Sequence, residues 1–218
     1  MTDGTMNGGE VLVATLLSRD IDTVFFVPGG TYTTVLEALS RVQNKIRSVP
    51  TRLESSAAFA CDAYAGIKRK PTCMFVSRAP GASNAAIGVH NAMQASRPFV
   101  LFIADIPKSL RGRESFQEID YRGMYGPVAK AVLDVNSFDD VADTAARAID
   151  LSMSGRPGPV VCVVSTQILD GETGEPDIPK PAAPLRIGAD RTAIAEAAKL
   201  IKDANHPIIL AGEMIAFE

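Results

Sequence analysis

The 218-residue sequence has no tryptophan, two histidines and three cysteines, and its 22 Lys and Arg nearly balance 25 Asp and Glu, for a net charge of -3. Each scarcity removes a class of function. His90 and His206 are too isolated for a histidine metal site and are read as structural. Cys61, Cys73 and Cys162 show no C-x-x-C spacing and lie in apolar segments, so they are read as small buried core residues rather than metal or redox groups. The absence of any Lys/Arg block argues against nucleic acid as the main partner. No apolar run approaches the ~20 residues that span a bilayer, and the polar start over residues 1–9 does not read as a signal peptide. The expected compartment is therefore the cytoplasm, with no membrane partner.

What is present alternates. Asn7 followed by Glu10 resembles a capping box opening a helix through Val11, Leu12, Leu16 and Leu17. Apolar strands are expected near residues 23–27, 46–52, 72–77, 99–104, 128–135 and 159–164. Helical spacing is expected over 33–42, from Glu54 to about Gly66, 83–95 and 139–153, and residues 107–125 form a loop long enough to be functional. Strands apolar on both faces and separated by helices imply an α/β fold, a parallel sheet covered by helices on both sides. That domain is expected over residues 1–170. Residues 171–187, with Pro176, Pro179, Pro181 and Pro184, read as a semi-rigid linker. Residues 188–218, with a helix over 191–204 and a strand over 207–212, read as the truncated beginning of a second α/β domain.

Four apolar runs end in unusual turns. Val24-Phe25-Phe26-Val27 leads into Pro28-Gly29-Gly30, and Ile46 to Arg52 leads to Glu54 at the start of an Ala-rich helix. Residues 72–77 lead into Ala79-Pro80-Gly81-Ala82-Ser83-Asn84, and residues 99–103 into a loop with Phe116-Gln117-Glu118. In an open parallel sheet these loops converge beyond the carboxyl ends of the strands, where ligands bind. Read singly, each has a plain alternative. Glu54 can simply favour the positive end of its helix. Pro28-Gly29-Gly30 can be an ordinary turn, and Ser83 or Asn84 an N-cap. No phosphate-binding G-x-G-x-x-G or P-loop is present.

The ordered set, ending in Gly155-Arg156-Pro157-Gly158-Pro159-Val160, resembles the N-terminal pyrimidine-binding domain of thiamine diphosphate enzymes of the acetolactate synthase type. The resemblance implies that Glu54 hydrogen-bonds a ring nitrogen of the cofactor's aminopyrimidine and activates it as an acid/base. Its neighbours Ala57 and Ala58 would desolvate the carboxyl and hold it where it can share a proton. Pro28, Gly29, Gly30, Pro80, Ser83, Asn84 and Gln117 are implied to line the pyrimidine site. Arg78, Phe116 and Lys130 are assigned to the substrate side, although Phe116 can merely pack and Lys130 can be a surface lysine. The implied substrate is a 2-oxo acid. Magnesium and the diphosphate would be held by a diphosphate-binding domain whose Gly-Asp-Gly motif this chain lacks, so the chain alone is expected to be inactive. A flavin (FAD) is possible in the full-length enzyme, and homo-oligomerisation through this domain is implied.

Two positions depart from the family pattern. Leu53 stands where the acetolactate synthase type carries His, and Arg78-Ala79 replaces a small pair before Pro80. An apolar Leu cannot relay a proton, and Arg78 can pair with a substrate carboxylate or with a nearby acid. The alternatives to an enzyme part are a non-catalytic dimerising or regulatory module and one half of a split decarboxylase.

Overall fold

The computed structural model describes residues 5–173, 176–181, 188–212 and 215. The chain divides into two units, Met1–Ala182 and Ala183–Glu218. In the first, β2 (Thr23–Phe26), β3 (Arg47–Pro50), β4 (Thr72–Ser77), β5 (Phe99–Asp105), β6 (Ala131–Asp134) and β7 (Val160–Ser165) form a six-stranded parallel sheet in the order β3-β2-β4-β5-β7-β6. This is the α/β fold that the sequence pattern implies.

Alternate residues of each central strand serve opposite faces, which is why these strands read as continuous apolar runs. Phe26, Phe75, Phe102 and Cys162 point to one layer, with α1 (Gly8–Ser18), α2 (Thr33–Arg41) and α6 (Asp140–Met153) packed over them. Phe25, Met74, Leu101 and Val163 point to the other, covered by α3 (Glu54–Lys68), α4 (Ala79–Gln94) and the short α5 (Tyr121–Tyr125). All three cysteines are buried free thiols in these layers, and burial pushes each thiol well up from its ordinary value.

The chain enters the sheet at β2, steps outward to β3, then crosses back over β2 through α3 to β4. The reversal opens a crevice beyond the carboxyl ends of β2 and β4, the place where doubly wound sheets bind ligands.

Several local expectations change. Helix α4 begins at Ala79 rather than Ser83, because Pro80 lies in the first turn, where its missing N–H breaks no helical bond. Ser83 and Asn84 therefore stand inside the helix and not at its cap. The loop over residues 107–125 ends in α5, whose Tyr125 carbonyl accepts from the N–H groups of Val128 and Ala129 and shortens β6. The stretch read as a linker is partly built into the first unit. Met6–Asn7, as β1, pairs with Glu172–Thr173, as β8, directly after α7 (Thr166–Asp170), and Ile178 packs on the core. Residues 174–175 and 182–187 of that stretch lie outside the described residues.

In the second unit, α8 (Arg191–Asp203) is capped by the Asp190 side chain, but the expected strand over 207–212 is absent. A strand needs a ladder partner, and Ile208, Ile209 and Leu210 are exposed instead.

Small residues let α3 and α4 approach closely. A Cβ on Gly88 would overlap the Ala58 methyl and come within 3.0 Å of its carbonyl carbon. Gly88→Ala would gain roughly 1 kcal/mol from helix propensity alone, yet it should lower stability by about 1–3 kcal/mol through overpacking. Urea unfolding decides the sign, and a stabilised variant would contradict so close a contact.

Candidate functional site

Glu54 is the first residue of α3, following Leu53 in extended conformation. The turn before it is tied to the end of β2. Thr51 N–H donates to the Phe26 carbonyl at 2.7 Å, and Thr51 Oγ1 lies within hydrogen-bond distance of the Phe26 and Leu53 carbonyls. This brings the carboxyl to the crevice. Asn84 Nδ2 donates to Glu54 Oε2 at 3.0 Å, and Oε1 takes no hydrogen bond from the described residues. A Cβ on Gly81 would lie 3.3 Å from Oε1, so the first turn of α4 passes directly over the carboxylate.

The sequence reading gave Asn84 to the cofactor's edge. In the structure its amide is engaged by Glu54 and fixes the carboxyl's orientation. The helical register explains this: Asn84–Glu54, Gly88–Ala58 and Asn91–Asp62 are successive contacts about one turn apart along parallel helices, the last a hydrogen bond of 2.7 Å.

Across the crevice, Gly29 is required. A Cβ there would overlap Ser77 Oγ and press on the Tyr32 ring at 3.1 Å. Gly30 meets nothing within 4 Å, so no close contact requires it to be glycine. Thr31 Oγ1 bonds Ser77 Oγ at 3.0 Å, joining the turn after β2 to the end of β4. Buried Tyr32 donates its hydroxyl to the Val27 carbonyl and stacks on Phe75 at a centroid distance of 6.1 Å. Burial, with the Glu54 charge nearby, pushes this phenol up. Sequence reasoning missed Thr31, Tyr32 and Ser77, although Ser77 had a signal as a polar residue closing an apolar strand.

Pro28, just after β2, and Pro80 and Ser83, in the first turns of α4, are exposed. Ala79 N–H donates to the Gln117 carbonyl at 3.3 Å, which brings the Phe116-Gln117-Glu118 loop to the start of α4. Gln117 adopts φ 66°, and Phe116 is 78% exposed. Arg78 occupies the N-cap position of α4, half-buried, with its Nε enclosed and unbonded.

Lys130 is a correction. It lies just before β6, at the amino ends of the parallel strands and therefore at the end away from Glu54. Its Nζ donates to the Leu151 and Ser154 carbonyls at the end of α6, a C-terminal capping role. Arg156 does the same for α4, donating to the Met93 and Gln94 carbonyls.

The long loop is anchored by charge. Buried Asp105, at the end of β5, accepts from Arg111 Nε at 2.9 Å and from the Tyr121 hydroxyl at 3.2 Å. Arg111 also reaches Asp134 at 3.1 Å, and Arg122 joins it at 3.3 Å. These groups line a cleft of about 690 Å³. Within its lining Arg111 pairs with Asp105 and Asp134, and Arg122 with Asp134, which ties the loop to the ends of β5 and β6.

The model of the family described as thiamine pyrophosphate enzyme, N-terminal TPP binding domain, matches residues 6–124. The chain belongs to this family. Within it, the chain is similar to probable acetolactate synthase large subunits. It is 30% identical over 214 residues to that of Methanocaldococcus jannaschii, covering 95% of this chain and 36% of the relative. It is 32% identical over 213 residues to that of Methanococcus aeolicus, covering 95% and 35%. It is also 33% identical over 163 residues to 2-hydroxyacyl-CoA lyase 2 of Caenorhabditis elegans, covering 75% and 25%. The chain thus spans about a third of the length of the acetolactate synthase subunits. As a thiamine pyrophosphate-binding domain it brings Glu54, Gly29, Gly81 and Asn84 to one crevice. Among the described residues no helix is long and apolar enough to cross a membrane.

The loop carries a pH signature. Glu118 accepts from the N–H groups of Gly112 and Ser115, which hold its carboxyl below the usual carboxylate range. The folded value lies below the unfolded one of about 4.3, so the contribution is present above that pH and is lost as the pH falls through the folded value. NMR shifts of the Gly112 and Ser115 amides should titrate with a midpoint below ~4.3. A midpoint at or above it would contradict these bonds.

Proposed function

We propose that this chain is the pyrimidine-binding part of a thiamine diphosphate enzyme that makes or breaks a carbon–carbon bond beside the carbonyl of a 2-oxo acid. The observation that carries the reading is the Glu54 carboxyl, oriented by Asn84 through one oxygen and unbonded at the other among the described residues, beside the crevice where Gly29 meets Ser77. The residues fit an aminopyrimidine. Gly29 lets the turn after β2 pack on Ser77, Gly81 lets the first turn of α4 pass over the carboxyl, and the free Glu54 oxygen offers an acceptor for a ring N–H.

Bound thiamine diphosphate supplies carbanion chemistry next to a carbonyl. Glu54 holds and exchanges a proton at the pyrimidine ring nitrogen. Asn84 keeps the carboxyl from swinging away, and the ties of Thr51 and Thr31 keep the two sides of the crevice in place.

The diphosphate and magnesium would be held by a further domain, in line with the third of its relatives' length that the chain covers. Pairing of two copies through α3 and α4 is part of the reading, supported by the exposed apolar side chains of Phe59, Ile67 and Ile87. On this reading the chain is inactive alone.

Glu54→Gln, assayed with pyruvate in the chain combined with a diphosphate-binding domain, should lower turnover at least ~10²-fold while leaving the thermal midpoint in place. Substantial residual turnover would remove Glu54 from this role.

A further inference from the structure

The turn from Val27 to Tyr32 is closed by its own last residue. Tyr32 is fully buried, and its hydroxyl reaches back to donate to the Val27 carbonyl while lying 3.5 Å from the Phe75 carbonyl of β4. A buried phenol needs such a partner. The ring is rooted as well, stacked on Phe75 at 6.1 Å, with Phe75 stacked in turn on Phe102 of β5 at 5.2 Å.

Little else holds the turn. Pro28 has no N–H, and the N–H groups of Gly29 and Gly30 make no hydrogen bond among the described residues. Gly30 meets nothing within 4 Å of where a side chain would start, so packing does not fix it. Three contacts remain. The Tyr32 hydroxyl holds Val27, the Tyr32 ring lies against Gly29, where a Cβ would come within 3.1 Å of it, and Thr31 Oγ1 bonds Ser77 Oγ at 3.0 Å. Two of the three belong to Tyr32, in a stretch whose adjacent glycines would otherwise leave the backbone many conformations.

We infer that Tyr32 is a positioning residue for the cofactor: its hydroxyl presets the Pro28-Gly29-Gly30 backbone, so that the free N–H groups of Gly29 and Gly30 are fixed in place before a ligand arrives. The inference rests on the reading of the Glu54 site given above. Presetting strengthens binding, because a loose turn has to be ordered on association and that ordering weakens affinity. Burial, with the Glu54 charge nearby, pushes the phenol well above its ordinary value. The hydroxyl therefore stays a donor through the pH range in which carboxyl groups titrate.

Tyr32→Phe tests this directly, because it removes the hydroxyl and keeps the stacked ring. In the nitrogen-labelled chain, the Gly29 and Gly30 amide signals should be sharp in the wild type and shifted or broadened in Tyr32→Phe. Calorimetry with thiamine diphosphate, magnesium and a separately produced diphosphate-binding domain should show cofactor affinity about three- to tenfold weaker in the variant. Both are read well below the thermal midpoint of the variant, so that a loss of stability alone moves neither. Unmoved glycine amides, or cofactor affinity equal to that of the wild type, would mark a merely structural tyrosine and overturn the proposal. The two readings fail differently. A wild-type chain that binds no cofactor overturns the reading of Glu54 and this proposal with it, whereas wild-type binding that Tyr32→Phe leaves unchanged overturns the role of Tyr32 alone.

Discussion

Helices α3 and α4 lie side by side in register, and the site depends on that register. Ala58 against Gly88 sets how closely they approach, Asn91 with Asp62 fixes the next turn, and Asn84 with Glu54 is the turn that reaches the crevice. A slip of one turn would carry Asn84 about 5.4 Å along the helix, far beyond hydrogen-bond reach of the carboxyl. The small side chains Ala57, Ala58, Cys61, Ala82 and Ala85 have a functional consequence, because bulk between the helices would separate the acid from the amide that orients it.

The sheet supplies the other half of the geometry. Because its strands are all parallel, every carboxyl end faces the same way, and the reversal between β2 and β4 leaves Gly29 beside Ser77 without a side chain between them. Charge then finishes what packing begins. Arg111 ties the long loop to Asp105 and Asp134, and the Gln117 carbonyl reaches Ala79, so a loop of irregular backbone is held against a rigid helix start. Elements so distant in the chain meet at one place because each is anchored to a different strand end.

Much of this was legible in the residues. The runs around Phe25, Met74, Leu101 and Val161 are apolar at every position because both faces of the sheet are covered, and that pattern separates a buried parallel sheet from an open antiparallel one. Glu54 stood out as an acid between a strand and a run of small helix formers. Other features were not legible. The partner of Asn84 depends on α4 starting at Ala79, and a proline in the first turn conceals that start in a sequence reading. Lys130 was misplaced because nothing in its local sequence tells which end of a strand it occupies; the parallel pairing of β6 with β7 decides that. The pairing of Met6–Asn7 with Glu172–Thr173 joins residues more than 160 positions apart, and so short a ladder has no periodicity to detect.

The central claim is that this chain holds half of a cofactor site built around Glu54. The most direct measurement is isothermal titration of the purified chain with thiamine diphosphate and magnesium, with and without a separately produced diphosphate-binding domain. The account predicts heat of binding only when that domain is present. Binding in neither case would contradict a cofactor role for the crevice, and full-strength binding to the chain alone would contradict its being half of the site.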